Sequence, residues 1–497
     1  MILNELLKQG DLETNEKHKL DIDIYHICCD SRLAGPNSIF VCIKGAVTDG
    51  HLYALSAYNR GCRCFVVEYD PHLPNDCNVI YTNDSRLALA RLADILYDHP
   101  SRKLKVIGIT GTKGKTTTAL MISGVLNTLG IPTGYIGSNG IQYGDFRHSS
   151  ANTTPESCDI QRYLHDMVDS GIKYAVIEVS SQALYLGRVK YVHFDTCVFT
   201  NLSPDHIGEH EHPNFEHYRA CKASLFSDYN PRRVLVNADD QNSEFMLCNC
   251  KVSAETFGIH KTALHTAENI VMYKADNALG MSFDYVCENQ RIPLTINFPG
   301  EYSISNALAA IAICRGLCND TQAILNALSK ITVEGRFEIV PALPYATIII
   351  DYAHNGISMC SVLETLRMYV PHRIITLFGS VGSRTYMRRA ELGLTASRLS
   401  DYCILTSDNP DGESPYLIIR DIAAAFDPNG CEYKEIVDRR EAIIYAMSIL
   451  QPGDILLLAG KGHEDYQLVG GHKIPFCERE IVLETAKKMM ATSITNK

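Results

Sequence analysis

No stretch of this 497-residue chain approaches ~18 uninterrupted apolar residues, so nothing in it reads as a membrane span. Residues 1–20 mix Glu5, Lys8, Asp11, Glu13, Glu16 and Lys17 among their leucines and hold no apolar core of signal-peptide length. The expected location is therefore the cytoplasm, where the 18 cysteines stay mostly reduced. Paired C-x-x-C knuckles are missing. Cys248 and Cys250, one residue apart, come nearest to a metal clip and lack a second pair. Positive charge is not in excess either: the net charge of −11 argues against a surface that grips nucleic acid along its length. Internal repeats and low-complexity tracts are absent.

What is present is an ordinary globular composition, 46% hydrophobic and 21% charged, in a chain too long for one core. The strongest local signal is a β-branched run (Val106, Ile107, Ile109) followed by Gly111-Thr112-Lys113-Gly114-Lys115-Thr116-Thr117 and an amphipathic segment. That order predicts strand, phosphate loop and helix, with Leu120, Met121, Val125, Leu126 and Leu129 one turn apart and Gly130 as the stop. Glycines let backbone N–H groups curl around an anion, the helix dipole adds positive potential, and Lys115 and Thr116 supply a phosphate cation and a Mg²⁺ hydroxyl. Gly111 and Gly114 are closer together than the glycines of the common P-loop.

The chain reads as α/β in three domains. Residues 1–104 form a small N-terminal domain, with strands over Ile39–Ile43, Cys64–Val67 and Val79–Tyr81. Residues 105–335 form a central P-loop parallel-sheet domain, and residues 336–497 a C-terminal Rossmann-like domain. In the central part Ala175–Val179 runs into Ser180-Ser181, Thr196–Thr200 into Asn201 and Asp205-His206, and Val234–Val236 into Asn237 and Asp239. Parallel strands bring their carboxyl ends to one edge, so these groups should converge on the phosphate loop. The third domain repeats the pattern: Ala346–Ile350 leads into Asp351-Tyr352-Ala353-His354, Tyr402–Thr406 into Asp408-Asn409-Pro410, and Ile455–Leu458 into Gly460-Lys461-Gly462-His463-Glu464-Asp465. Two such sheets suggest an active site in a cleft between domains.

Glu178 and His206 are of the kind an ATP-bound Mg²⁺ recruits beside Thr116, although His206 reads equally as a capping or packing histidine. His210, His212 and His217 sit among Glu209, Glu211 and Pro213 and read as surface residues.

In order along nearly the whole chain stand several further runs. They are Asn152-Thr153-Thr154-Pro155, Glu178-Val179-Ser180-Ser181, Asn201-Leu202-Ser203-Pro204-Asp205-His206, Lys222 with Leu225-Phe226, Ser305-Asn306-Ala307, Glu334-Gly335-Arg336-Phe337-Glu338 and the three C-terminal clusters. Together with the phosphate loop they resemble the Mur ligase family of peptidoglycan synthesis, and within it the branch that adds the third amino acid. The resemblance implies an ATP-dependent, ADP-forming ligase that phosphorylates the carboxylate of a UDP-muramoyl dipeptide and lets an amine attack the acyl phosphate. It implies that Gly111, Thr112, Lys113, Gly114, Lys115, Thr116 and Thr117 hold ATP phosphates, with Asn306, Arg336 and Asp351 on the nucleotide. By the same likeness Thr116, Glu178, His206 and a carbamoylated Lys222 hold Mg²⁺, and Lys115, Lys222, His206 and His354 are catalytic. Ser31, Lys44, Asp49, Thr153, Thr154, Ser180 and Arg188 would meet the UDP substrate, and Arg384, Asp408, Asn409, Asp411, Gly460 and Glu464 the amino acid. Without its carbamate, Lys222 reads as a surface lysine. The resemblance further implies a monomer with small-molecule partners that closes over its intermediate to exclude water.

Two departures from the family pattern bear on the amino acid. Members that add meso-diaminopimelate usually carry Asp-Asn-Pro-Arg, and here the fourth residue is Asp411. Two like charges ~4 Å apart repel by about 4 kcal/mol at an effective dielectric of 20, so a basic amino acid, L-lysine or L-ornithine, is expected over diaminopimelate. The second departure is the loop Gly379-Ser380-Val381-Gly382-Ser383-Arg384, after which Arg388 and Arg389 still offer cations. The rival readings are a ligase of the same superfamily on another substrate, such as a folylpolyglutamate or cyanophycin-type synthetase, a nucleotide-binding paralogue that no longer ligates, and a P-loop motor or switch. The N-terminal Asp30-Ser31-Arg32 cluster opposes the first, and intact Lys115, Glu178, His206, Lys222 and His354 oppose the second. The short loop and second Rossmann-like unit oppose the third.

Overall fold

The computed structural model describes residues 1–12, 21–45, 48–205, 207–208, 211–275, 278–382 and 386–495, the side chains after residue 491 excepted. By contacts the chain divides into two compact units, Met1–Ala267 with Tyr285–Arg291 and Ser305–Leu328, and Glu268–Asp284 with Ile292–Ile304 and Ser329–Lys497. Among the described residues no helix is long and apolar enough to cross a membrane.

The first unit holds two sheets. A four-stranded parallel sheet runs β1 (His26–Cys28), β2 (Ser38–Val41), β3 (Cys64–Val67), β4 (Asn78–Tyr81). Both faces of β2 and β3 are buried, which is why Ile39–Val41 and Cys64–Val67 are unbroken apolar runs. The larger sheet contains β5 (Lys105–Thr110), β6 (Thr133–Gly137), β7 (Gly140–Tyr143), β8 (Phe146–His148), β9 (Tyr174–Glu178), β10 (Phe194–Phe199), β11 (Arg233–Asn237) and β12 (Ala254–Gly258), in the order β12-β11-β10-β5-β9-β6-β7-β8. From β12 to β6 all pairings are parallel, and the β6-β7-β8 edge is antiparallel. Strand β5 therefore lies between β10 and β9, and the carboxyl ends of all three open on the phosphate loop.

The second unit contains a six-stranded sheet in which Ala346–Asp351, Ile455–Ala459, Ile374–Phe378, Tyr402–Leu405 and Glu432–Glu435 run parallel and Glu338–Leu343 pairs antiparallel to the first. One face packs against helices Gly356–Met368 and Pro415–Ala423 through residues such as Leu363, Leu366, Ile419 and Ile422. The other packs against Arg439–Ser448 and Glu478–Thr495 through Ile443, Met447, Ile481 and Val482. Helices on both faces of a parallel sheet make a doubly wound layer structure. Long strands over His265–Ala275, Ala278–Cys287 and Gln290–Ile296 are not evident from the sequence pattern.

Candidate active site

Strand β5 delivers the chain to Gly111 at φ +152°, where a Cβ would stand 2.0 Å from Thr200 Oγ1. Gly114, at φ +84°, caps helix Lys115–Thr128, and there a Cβ would stand 2.4 Å from Asn306 Oδ1. Both positions thus demand glycine on conformation and on space. The loop is clamped from β10's end: Thr112 N donates to Asn201 O (2.8 Å), Lys113 N to Asn201 Oδ1 (2.9 Å), and Thr200 Oγ1 to Lys113 O (2.7 Å). Thr112 Oγ1 receives Ser203 N at 3.0 Å and lies 3.0 Å from Tyr218 OH. Lys115 Nζ reaches back to Gly111 O (2.9 Å) and Thr112 O (3.1 Å).

Thr116 Oγ1 donates to Glu178 Oε2 at 2.9 Å across the β5–β9 boundary, and Glu178 is fully buried. Its other oxygen accepts from Tyr135 OH (2.5 Å) and Ser138 N (2.9 Å), which fix the carboxylate plane. Neither Tyr135 nor Ser138 stands out in the sequence, because their role arises only where β6 ends beside β9. Thr118 Oγ1 bonds Asn306 Oδ1 at 3.2 Å, joining the loop's helix to Glu301–Arg315.

Lys222, expected at the surface unless modified, is 1% exposed, a correction that follows from its place on the inner face of helix Phe215–Ser227. Its Nζ donates to Gly111 O at 2.8 Å and lies 4.7 Å from the Tyr218 ring centroid. Burial first, and the nearby Lys115 cation second, push its ammonium well below the ordinary lysine range, against the pull of Asp205.

Beside Glu178, Thr154 Oγ1 donates to Glu178 O (2.7 Å) and accepts from Ser180 N (3.0 Å), while Ser138 Oγ meets Thr153 Oγ1 at 3.0 Å. Arg188 donates to Thr154 O at 3.2 Å and lies 2.9 Å from Glu156 Oε1. The structure brings these expected residues around Glu178, whose carboxylate meets Thr116. Ser31, Lys44 and Asp49 sit apart, around the four-stranded sheet: Ser31 is buried, and Lys44 pairs with Asp49 as an isolated bridge. The Asp49 carboxylate serves the turn after it, accepting from His51 N (3.0 Å), His51 Nδ1 (2.7 Å) and Tyr69 OH. Burial works upward on Asp49, but these hydrogen bonds prevail and hold it at about 2.

In the second unit, Asp351 is buried at the end of its strand, taking Phe337 N and Ala353 N at 2.8 Å each, and burial raises its pKa. Arg336 lies 4.7 Å from the Tyr352 ring centroid, and His354 Nδ1 lies 2.8 Å from Tyr352 O. A cavity of about 480 Å³ is lined by Glu334, Arg336, Phe337 and Arg479 among others. At the neighbouring strand ends, the fully buried Lys461 Nζ contacts Asn409 Oδ1 (3.1 Å), Glu464 Oε2 (3.0 Å) and Asp408 Oδ1 (3.5 Å), and Asn409 Nδ2 donates to Glu464 Oε2 at 2.8 Å. Gly460, at φ +106°, places its α-carbon where a Cβ would stand 2.8 Å from Asp408 Oδ2.

Several expectations need correction. Asp411, at φ +52°, has a turn role that the sequence does not announce: Oδ1 accepts from Gly471 N (2.9 Å) and its backbone pairs with Leu468 and Gly470. Arg389, offered as a substrate cation, is fully buried between Glu413 and Asp421. His212 is not a surface residue but fully buried, because the chain folds back beneath Ser181, whose Oγ lies 2.8 Å from His212 Nε2. His206, His210 and Arg384 lie outside the described residues.

A P-loop at the carboxyl edge of a parallel sheet, with a buried carboxylate beside its threonine and a buried lysine against its first glycine, defines a nucleotide-dependent enzyme. The Mur ligase family catalytic domain matches residues 23–107, the Mur ligase middle domain residues 109–314, and the Mur ligase glutamate ligase domain residues 335–462. The UDP-N-acetylmuramoyl-L-alanyl-D-glutamate–2,6-diaminopimelate ligase of Caldanaerobacter subterraneus subsp. tengcongensis is 39% identical over 478 residues, 95% of this chain and 98% of that one. The enzyme of the same name from Clostridium botulinum is 38% identical over 496 residues, covering 98% and 100%. A solved structure of a protein so named superposes with a TM-score of 0.67 at 25% identity over 98% of this chain and 99% of that one. The chain belongs to the Mur ligase family and is an ATP-dependent acid–amino-acid ligase of peptidoglycan synthesis. The expected preference for lysine or ornithine is overturned: these relatives are named for 2,6-diaminopimelate. The repulsion argument set the Asp411 carboxylate against the ligand; in the structure its Oδ1 accepts from Gly471 N.

Proposed function

We propose that this ligase joins 2,6-diaminopimelate to UDP-N-acetylmuramoyl-L-alanyl-D-glutamate. The observation that carries the reading is the near-full-length identity of 36–39% to relatives named for that reaction. Residues 1–104 receive the uridine diphosphate end through Ser31, Lys44 and Asp49, residues 105–335 the ATP phosphates, and residues 336–497 the amino acid. Thr153, Thr154, Ser180 and Arg188 hold the muramoyl dipeptide.

The donor set fits Mg²⁺. Thr116 Oγ1 and Glu178 Oε2 are 2.9 Å apart, and adjacent oxygens of an octahedron with 2.0–2.1 Å bonds are separated by about 2.9 Å. Bound there, the ion would neutralise charge on the transferring phosphoryl group. His206 and Lys222 are the further ligands. Burial holds the Lys222 ammonium well below its ordinary range and so favours the neutral amine, the form that takes up carbon dioxide as a carbamate. Lys115 turns from its loop carbonyls to the β- and γ-phosphates. Asn306, Arg336 and Asp351 orient the nucleotide, and His354 is oriented by its bond to Tyr352 O. With the γ-phosphoryl on the dipeptide carboxylate, the amine attacks the carbonyl carbon and phosphate leaves. Asp408, Asn409, Gly460 and Glu464 position the amino acid, and Arg384 offers a cation for its distal carboxylate.

The test is phosphate release with the UDP-linked dipeptide and 2,6-diaminopimelate, lysine or ornithine supplied in turn. The expected result is release that depends on the dipeptide and is greatest with diaminopimelate; release independent of the amino acid would overturn the reading.

A further inference from the structure

Helix Phe215–Ser227 begins with an Asn214 cap whose side chain accepts from His217 N at 2.8 Å. His217 and Cys221, four residues apart, share one face of that helix. His212 lies five residues before His217 on the segment that folds under Ser181. One ligand atom from each of the three lies within 4.8 Å of the others, the only such group among the described residues.

We propose that His212 Nδ1, His217 Nδ1 and Cys221 Sγ form a three-ligand site for a thiophilic divalent transition metal, zinc being the ion whose geometry it fits best. The two Nδ1 atoms are 2.9 Å apart and Cys221 Sγ lies 3.7 Å from His217 Nδ1. Tetrahedral zinc, with bonds of about 2.0–2.1 Å to nitrogen and 2.3 Å to sulfur, sets these edges at roughly 3.3 and 3.6 Å. On these two edges the difference is a few tenths of an ångström, and the third, from His212 to Cys221, is within 4.8 Å.

The rings are already oriented. His212 Nε2 lies 2.8 Å from Ser181 Oγ, the outer hydrogen bond that directs a ligating imidazole's other nitrogen toward its metal. The Tyr185 ring meets His217 edge-on at 4.9 Å, and Tyr218 stands against His212 at 5.2 Å. His212 is buried while His217 and Cys221 are half-buried, so an ion enters from the His217 side. A thiolate with two imidazoles selects a borderline-soft ion over Mg²⁺, which prefers oxygen donors. Binding converts the Cys221 thiol to a coordinated thiolate and releases its proton to solvent. Three protein ligands leave a fourth position for water. Because Cys221 precedes Lys222, the ion would pin the start of that helix to the Ser181 turn and fix the lysine's approach to the phosphate loop.

The experiment uses the untagged full chain, stripped with a chelator and titrated with cobalt(II) alone. The expected result is one equivalent bound with a thiolate-to-cobalt charge-transfer band that zinc abolishes. Cys221→Ser and His217→Asn, folded by circular dichroism, are both expected to lose that band and the one-equivalent binding with it. Cobalt on the oxygen donors of the Mg²⁺ site gives no such band. Absence of the band in the parent chain, or its survival in either folded variant, would overturn the proposal.

Discussion

Lys115 and Lys222 both end on the carbonyl of Gly111, yet they differ in what surrounds them. Lys115 is half-exposed at the helix start; Lys222 is sealed in. Replacing Lys115 with Ala should lower kcat by ~10²–10³-fold, the usual effect of removing one preorganised charge donor, while far-ultraviolet dichroism stays unchanged. For Lys222 the sign of its pH linkage follows from its depressed pKa. Between the folded value and the ordinary value of 10.5 the unfolded chain carries the extra proton, so this residue makes stability rise with pH across that window. Replacing it with Met should flatten that rise in urea titrations. The same variant should be inactive and indifferent to bicarbonate, whereas the parent enzyme, depleted of bicarbonate, should recover activity when it is restored.

Among the elements, the turn between β5 and helix Lys115–Thr128 tolerates least. Gly114→Ala adds ~1–2 kcal/mol of left-handed strain and drives a methyl into Asn306 Oδ1. Urea denaturation should show at least that loss, with weakened nucleotide binding. At the β11–β12 edge, His265 and the bidentate Arg233 hold Glu255 at about 2, below its ordinary 4.5. A depressed carboxylate stabilises fully above the unfolded value and loses that contribution as pH falls through the folded one. Glu255→Gln should therefore cost about 1 kcal/mol near neutrality, a partly exposed pair being screened, and the difference in melting temperature should close between pH 4.5 and about 2. Elements that were legible in the sequence are those buried on both faces. Cys64–Val67 is an apolar run whose limits match the strand observed. Glu432–Glu435 is exposed at every position and becomes a strand only by pairing with Tyr402–Leu405. Ala278–Cys287 alternates buried with half-buried residues, a weaker signal than a continuous run.

For the molecule as a whole, a ligand that binds only the folded state stabilises it by mass action. A non-hydrolysable ATP analogue with Mg²⁺ at a hundred times its dissociation constant should add about 2.7 kcal/mol, seen as a rise in melting temperature that Lys115→Ala loses. The ordered motifs along nearly the full chain identify a Mur ligase without coordinates, because each chemistry-bearing cluster follows a strand and strand ends are readable as breaks in apolar runs. The phosphate loop, Glu178 and Thr116 were all legible in this way. Three things were decided by tertiary structure alone. They are the burial of Lys222 and His212, the meeting of His212 and His217 with Cys221, and the direction of the Asp411 carboxylate toward Gly471. Residue type and spacing specify which groups are available and which strand end carries them. Where a side chain points depends on packing between segments distant in sequence, and that is why the bond from Gly471 N to the Asp411 carboxylate could not be read from the Asp408-Asn409-Pro410-Asp411 run.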